Sequence, residues 1–343
     1  MKSPPIAILG AGLVSSVGLT AAACGSAFRA NISSPLETPF IDSVGAWIMA
    51  HQVNLDRPSS GVAKLAKMAA MAVEEALQEL AKDQWHRLPL LLCVAEATRP
   101  GRLEGLDQQL STQLQSELNV SFAPESAVVP HGRVSVAVAL AQARSLLDSS
   151  KVPGVLIVST DSLLSWATLS HYEREDRLLT ESNSNGFMPG EGAGALWIAA
   201  VEAGSPQLRC TGIGFGKEQA HIGSGAPLRA DGLSQAIKAC LAEAGRQLHD
   251  MDFRITDNSG EQFYFKEASL ALSRVLRERK EAFDIWHPAE CAGETGATSG
   301  MAVITMAREA CRKGYAPGPK VLAHWSNDEG QRAAVALEFQ EAT

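Results

Sequence analysis

Val128-Val-Pro-His-Gly-Arg-Val-Ser-Val-Ala-Val-Ala-Leu-Ala-Gln-Ala-Arg-Ser-Leu-Leu147 is small and apolar on every side between Val134 and Ala143, broken only by Ser135 and Gln142. A surface helix carries one apolar stripe and one charged face, so this segment predicts a helix from Gly132 to Leu147 that is buried all round. Pro130, His131 and Gly132 stand where the first unpaired backbone N–H groups of that helix would point. Such a place suits anions, oxyanions and activated nucleophiles.

Apolar strands flank this helix. Pro89–Glu96 precedes it and Val152–Thr160 follows it, ending at Asp161. Strands apolar on both faces belong inside a covered sheet, so the pattern predicts a layered α/β protein. Towards the N-terminus, Ile6–Leu9 reads as a short strand entering a glycine turn over Gly10–Gly18, and residues 19–30 as a helix. Residues 31–60 read as irregular loop with a short strand at Ala46–Met49. Val62–Leu80 has the spacing of an amphipathic helix, and Leu103–Leu118 that of an exposed one. After a seam at Gly204–Pro206 the cycle repeats. Strand Leu208–Phe215, helix Gly232–Leu248, a polar turn near Asp257 and helix Phe265–Arg279 lead to a strand and turn over Ile285–Gly296. Helix Gly300–Arg312 and strands Lys320–His324 and Ala333–Phe339 complete it. Two similar halves, 1–205 and 206–343, are expected.

Composition removes several function classes. At 45% hydrophobic and 20% charged, the 343 residues have globular proportions, which argues against wholesale disorder. A formal charge of −8 disfavours a nucleic-acid groove or an anionic membrane surface as partner. The six cysteines are scattered with no CxxC pair, favouring buried thiols in a reducing compartment over disulfides or a zinc site. Cys24 and Cys93 have no activating neighbour in sequence and read as structural. The run ending in Ala21-Ala-Ala-Cys24 imitates a lipoprotein signal, but Pro4, Pro5, Gly10, Gly12 and Gly18 interrupt it. No run of about 18 apolar residues exists to cross a membrane, so a cytoplasmic location is expected. Gly10-Ala-Gly12 superficially suggests a dinucleotide loop; the third glycine is out of register and no acidic residue closes a second strand. No cofactor is expected.

Asn185-Gly-Phe-Met-Pro-Gly-Glu-Gly-Ala-Gly-Ala-Leu196 resembles the GFxxGEGAGA segment of β-ketoacyl synthases, in the thiolase-like superfamily. Ile6–Gly18 resembles the family's opening strand and turn, and Val62–Leu80 its first long helix. Val155–Asp161 resembles the strand that ends before an acidic residue, Gly293–Gly300 its GHxxxAAG turn, and Ser326–Glu338 a decayed GFGGTNAHxxLE. The resemblance spans nearly the whole chain. It implies a five-layered α-β-α-β-α fold of two pseudo-repeated halves, a two-fold dimer, and a central buried helix after His131.

In that family a cysteine at the start of this helix attacks an acyl thioester, and two histidines assist decarboxylation and condensation. Residue-by-residue comparison places His131 at the cysteine, Asp257 at the first histidine to within a residue or so, and Glu294 at the second. Ala289 falls at the family's lysine. An imidazole does not form the same thioester intermediate, and a carboxylate opposes an enolate instead of stabilising it. The expectation is a catalytically degenerate, ketosynthase-like protein acting as an interaction or adaptor subunit. Its partner would be a second thiolase-like subunit, a carrier protein or a component of a bacterial secretion cluster. The alternative is an acyltransferase or hydrolase acting on carrier-protein or CoA thioesters through His131 with Asp257 or Glu294. One histidine and two carboxylates could also form an acid/base set or hold a divalent metal, although the spacings match no metal motif. Arg133 either binds an anion such as a phosphopantetheine phosphate, pairs with a nearby carboxylate, or lines the dimer surface.

Overall fold

The computed structural model describes residues 4–149 and 152–341; the ends of the two expected halves at 1–3 and 342–343 lie outside these. The chain opens with β1 (Ile6–Val14), α1 (Ala21–Arg29), the hairpin β2 (Leu36–Ile41) and β3 (Trp47–Ala50), and α2 (Gly61–Ala76). Then come β4 (Leu90–Cys93), α3 (Leu106–Leu118), β5 (Ala127–Val129), α4 (Ser135–Ser149), β6 (Val155–Ser162), α5 (Trp166–Arg174) and β7 (Glu191–Ala200). The later part holds β8 (Gln207–Lys217), α6 (Asp231–Ala244), β9 (Phe253–Thr256), α7 (Gln262–Val275), β10 (Ile285–Trp286), α8 (Ala289–Ala292), α9 (Ser299–Arg312), β11 (Lys320–Ser326) and β12 (Gln331–Gln340).

Ten strands form one sheet in the order β10-β9-β11-β12-β8-β1-β7-β6-β4-β5. Counted inward from either end, the plan is the same: two parallel pairings followed by two antiparallel ones. At the centre β1 and β8 pair antiparallel, with Ala7 opposite Arg209. Each carries a register irregularity at a corresponding place, between Ile8 and Gly10 in β1 and opposite Ala336–Leu337 in β8.

Three apolar clusters define five layers. One joins α2 and α3 to the outer face of β4, β6 and β7, and another joins α6 and α7 to the outer face of β11 and β12. The third and largest lies between the two halves of the sheet and takes in α4 and α9. Val136, Ala137, Ala139, Leu140 and Ala143 of α4 are buried there, as its all-round apolar sequence demands.

Several boundaries differ from the sequence reading. The strand expected to stop at Leu9 runs to Val14, with Gly10 and Gly12 inside it instead of in a turn. A Cβ on Gly12 would lie 2.0 Å from the Ala72 carbonyl oxygen, so the glycine lets the backbone of α2 lie directly on the strand. The polar stretch before Asp257 is a strand, β9, whose Phe253 and Ile255 enter the central core between polar neighbours. Residues 31–60 contain β2 as well as β3. Helix α2 ends at Ala76, not Leu80, and α7 at Val275, not Arg279. Among the described residues no helix is long and apolar enough to cross a membrane.

Candidate functional site

Two turns, one leaving a strand and one leaving a short helix, each lead into a helix and meet between the halves of the sheet. After β5 the chain passes His131 (φ −118°) and Gly132 (φ +53°), makes a short 3-10 turn and enters α4 at Ser135. After α8 it passes Thr295 (φ −109°) and Gly296 (φ +58°), makes the same turn and enters α9 at Ser299. A left-handed residue at a sharp strand-to-helix turn presents its side chain at the mouth of the turn, the geometry by which nucleophile elbows work. Here both such residues are glycine. A Cβ on Gly132 would meet Glu96 Oε2 at 2.0 Å, and one on Gly296 would meet Asp161 Oδ2 at 2.2 Å. Carboxylates occupy the space in front of both turns.

Arg133, the next residue along, organises the surroundings. Its guanidinium donates to Asp328 at 2.6 Å, to the Tyr264 hydroxyl at 2.7 Å and to Glu294 at 3.3 Å, with Asp257 at 4.0 Å. It also lies 4.5 Å from the centre of the Tyr264 ring. Arg177 grips Glu261 with two nitrogens at 2.7 and 2.9 Å and reaches Asp328 at 2.7 Å. Arg99 pairs with Asp161, which also accepts the Ala297 N–H at 2.9 Å. The space left among these groups is about 20 Å³, room for roughly one water.

Three guanidiniums thus face Glu96, Asp161, Asp257, Glu261, Glu294 and Asp328. Charge surplus and burial act on the carboxyls unequally. Burial pushes Glu294 up to about 7; Arg133 and the hydrogen bonds from Gly296 and Ser259 oppose this, while Asp257 adds to it. Burial raises Asp257 and Glu96 also, against Arg133 and Arg99 respectively. Asp328 goes the other way: burial works against its charge, but Arg133 and Arg177 together hold it well below the usual carboxylate range.

The residues singled out in sequence are brought together only in part. Asp257 and Glu294 share Arg133. His131 is adjacent in chain, with its N–H on the Ser135 hydroxyl at 3.0 Å, but its ring has no hydrogen-bond or ion-pair partner among the described residues. Arg133 is 8% exposed and pairs with carboxylates, so of its three sequence readings this one describes what it does. No group of histidine, cysteine, aspartate or glutamate able to hold a metal is found among the described residues. Burial pushes the Cys24 thiol up to about 11 and Cys93 higher still. Glu96, Arg99, Arg177, Glu261 and Tyr264 escaped the sequence reading, because each is a lone polar residue in a segment without a motif.

No family model matches the chain. Nodulation protein E of Rhizobium meliloti is 23% identical over 186 residues, which are 50% of this chain and 46% of that protein. The chain therefore spans about half the length of the curated relatives it matches. Solved structures align over nearly all of it. The ishigamide ketosynthase/chain length factor superposes with a TM-score of 0.80 at 18% identity, covering 99% of this chain and 100% of that one. A ketosynthase (ApeO) in complex with its chain length factor (ApeC), from Xenorhabdus doucetiae, gives 0.75 at 12%, covering 98% of each. A type II acyl-carrier protein complexed with its ketosynthase (AntDE:AntF) gives 0.80 at 14%, covering 98% of this chain and 99% of that one. At these identities the likeness is one of fold.

Proposed function

We propose that this chain, whose fold is that of the thiolase-like ketosynthases and chain length factors, is a non-condensing subunit that acts through association with a second thiolase-like chain. The observation that carries the reading is the elbow at Gly132. The resemblance puts the family's cysteine at His131, an imidazole, and next to it the Glu96 carboxylate fills the space in front of Gly132. Ion pairs close the space around it to about 20 Å³, too little for a thioester. Solved neighbours that pair a ketosynthase with a chain length factor support a partner of the same fold. On this reading residues 1–205 and 206–343 are two halves of one scaffold, a division that the sheet order supports.

Three measurements test it. Incubation with acetyl-CoA and malonyl-carrier protein is expected to give no condensation product and no acylated chain by intact-mass spectrometry. His131→Cys is expected to stay inactive, because the carboxylates Asp257 and Glu294 stand where the family's histidines would, both tied to Arg133. Co-expression with a ketosynthase encoded nearby is expected to yield a heterodimer by native mass spectrometry. A stable complex with a secretion component instead would retain the adaptor role and replace the partner. Thioester turnover abolished by His131→Ala would overturn the proposal in favour of an acyltransferase or hydrolase. That alternative asks His131 to work with Asp257 or Glu294, both of which are tied to Arg133.

A further inference from the structure

The hairpin of β2 and β3 stands outside the main sheet as a two-stranded sheet of its own. A hairpin this small needs one packed face to hold it. Its inner face has one, where Ile48 and Phe40 join Leu163, Leu169, Tyr172 and Phe187 in a small apolar cluster. The outer face is apolar without that need. Ile41 sits opposite Trp47 across the pair, and Met49 opposite Glu37. Ile41 is 46% exposed, Trp47 53% and Val44, at the tip, 72%. Trp166 at the start of α5 is exposed beside them, its ring centre 5.9 Å from that of Phe40. Exposed apolar side chains scattered singly are ordinary, whereas a group of them on one element marks an interaction surface.

The tip is set before anything binds. The Asp42 carboxylate accepts the N–H groups of Val44 at 3.1 Å and Ala46 at 2.8 Å, and Gly45 takes a φ of +87° to close the turn. A preset tip loses little freedom on docking. Charge then selects the partner. From residue 30 to residue 56 the chain carries Glu37, Asp42 and Asp56 and no lysine or arginine. On α5, Glu173 accepts the Ser43 N–H and so brings another carboxylate to the tip, while Arg174 turns its Nε to the Ser170 carbonyl of its own helix at 2.9 Å. An apolar stripe rimmed by carboxylates complements a segment with one apolar face and lysine or arginine along its flanks. Pro39 supplies no N–H in β2, and the pairing is irregular between Glu37 and Ile41, so an added strand finds a broken ladder there. A helix docks through side chains alone and needs no ladder.

We propose that the outer face of this hairpin docks a basic amphipathic helix of a partner protein, with the helix's apolar side chains on Val44, Ile41 and Trp47 and its cations beside Glu37, Asp42 and Glu173. The surface is independent of the ion-paired site, none of whose arginines it uses.

The test uses the full chain and isothermal titration calorimetry with two probes, an amphipathic helical Leu/Lys peptide and a Leu/Glu peptide of the same pattern. The Leu/Lys peptide is expected to bind saturably and the Leu/Glu peptide at least about tenfold more weakly. Trp47→Ser and Val44→Ser, both on exposed side chains, and Glu37→Lys should each weaken the Leu/Lys peptide by about tenfold, with melting curves verifying the fold. The two apolar replacements separate docking at this face from diffuse attraction to an acidic protein, since they leave the charge unchanged. Unchanged affinity in both of them, equal binding of the Leu/Glu peptide, or no saturable binding of the Leu/Lys peptide would overturn the proposal. So would self-association in sedimentation velocity, or uptake on phosphatidylcholine vesicles, that Trp47→Ser abolishes; the occupant would then be a second copy of the chain or a lipid surface.

Discussion

Among the described residues Arg133 is the single cation in ion-pair reach of Glu294 and Asp257, and all three side chains are buried. Removing one partner of a buried set leaves the others charged without compensation, which costs about 3–5 kcal/mol. Arg133→Met is expected to lose stability of that order in urea unfolding at pH 8, and less at pH 5, where the carboxyls can take protons. Glu294 supplies a second, independent signature. Its folded pKa of about 7 stands above the ordinary 4.5. Below the ordinary value the group is protonated in both states and the fold suffers no penalty. As pH rises from there to about 7 the unfolded chain ionises first, so stability falls; above 7 the penalty is constant. Glu294→Gln is expected to match the parent at pH 4 and exceed it at pH 8 by about 1–3 kcal/mol, flattening much of the slope between. A parent whose stability rises from pH 5 to 7, or a variant no more stable at pH 8, would contradict this assignment.

The element scale is governed by where backbones touch. Gly12 lies 2.0 Å, measured from a would-be Cβ, from the Ala72 carbonyl of α2, and Gly214 lies 2.1 Å from the Ala236 carbonyl of α6. Gly12→Ala and Gly214→Ala should therefore each force a helix off its strand and destabilise by about 3 kcal/mol or more, read as a lowered urea midpoint. These glycines also explain what the sequence hides. In a linear reading Gly10 and Gly12 signal a turn; only a helix laid against them makes them strand residues. Strand β9 is masked for a related reason, since Arg254 and Thr256 alternate with Phe253 and Ile255 over four residues, too few to establish a period. By contrast α4 was legible because its apolar character on all sides has one physical solution. The candidate site was legible at the helix start and, through the resemblance, at Asp257 and Glu294, which the structure brings to Arg133, but not elsewhere. His131 and Arg133 stand out beside a buried helix, whereas Glu96, Arg177 and Tyr264 gain meaning only when distant loops converge.

On the scale of the whole molecule, the segments on either side of the proposed seam at 206 share a core and are riveted by Arg133 and Arg177. The former joins the turn before α4 to Tyr264 of α7, and the latter joins the loop after α5 to Glu261. A chain beginning at Pro206 would expose the inner faces of β8, β11 and β12, which in the intact protein contact the central cluster. Residues 206–343 alone are expected to remain unfolded or to aggregate, checked by circular dichroism and gel filtration; a cooperative melt from that fragment would show that the halves are autonomous. The sheet itself ends abruptly. Strand β5 has three residues and β10 has two, so each outer rim offers a brief row of unpaired backbone groups. An incoming strand could form only a few main-chain bonds at either rim. On the proposed pairing with a thiolase-like chain, discrimination between one mate and another at these rims would rest on side chains, and charge swaps there, not strand lengthening, would redirect it.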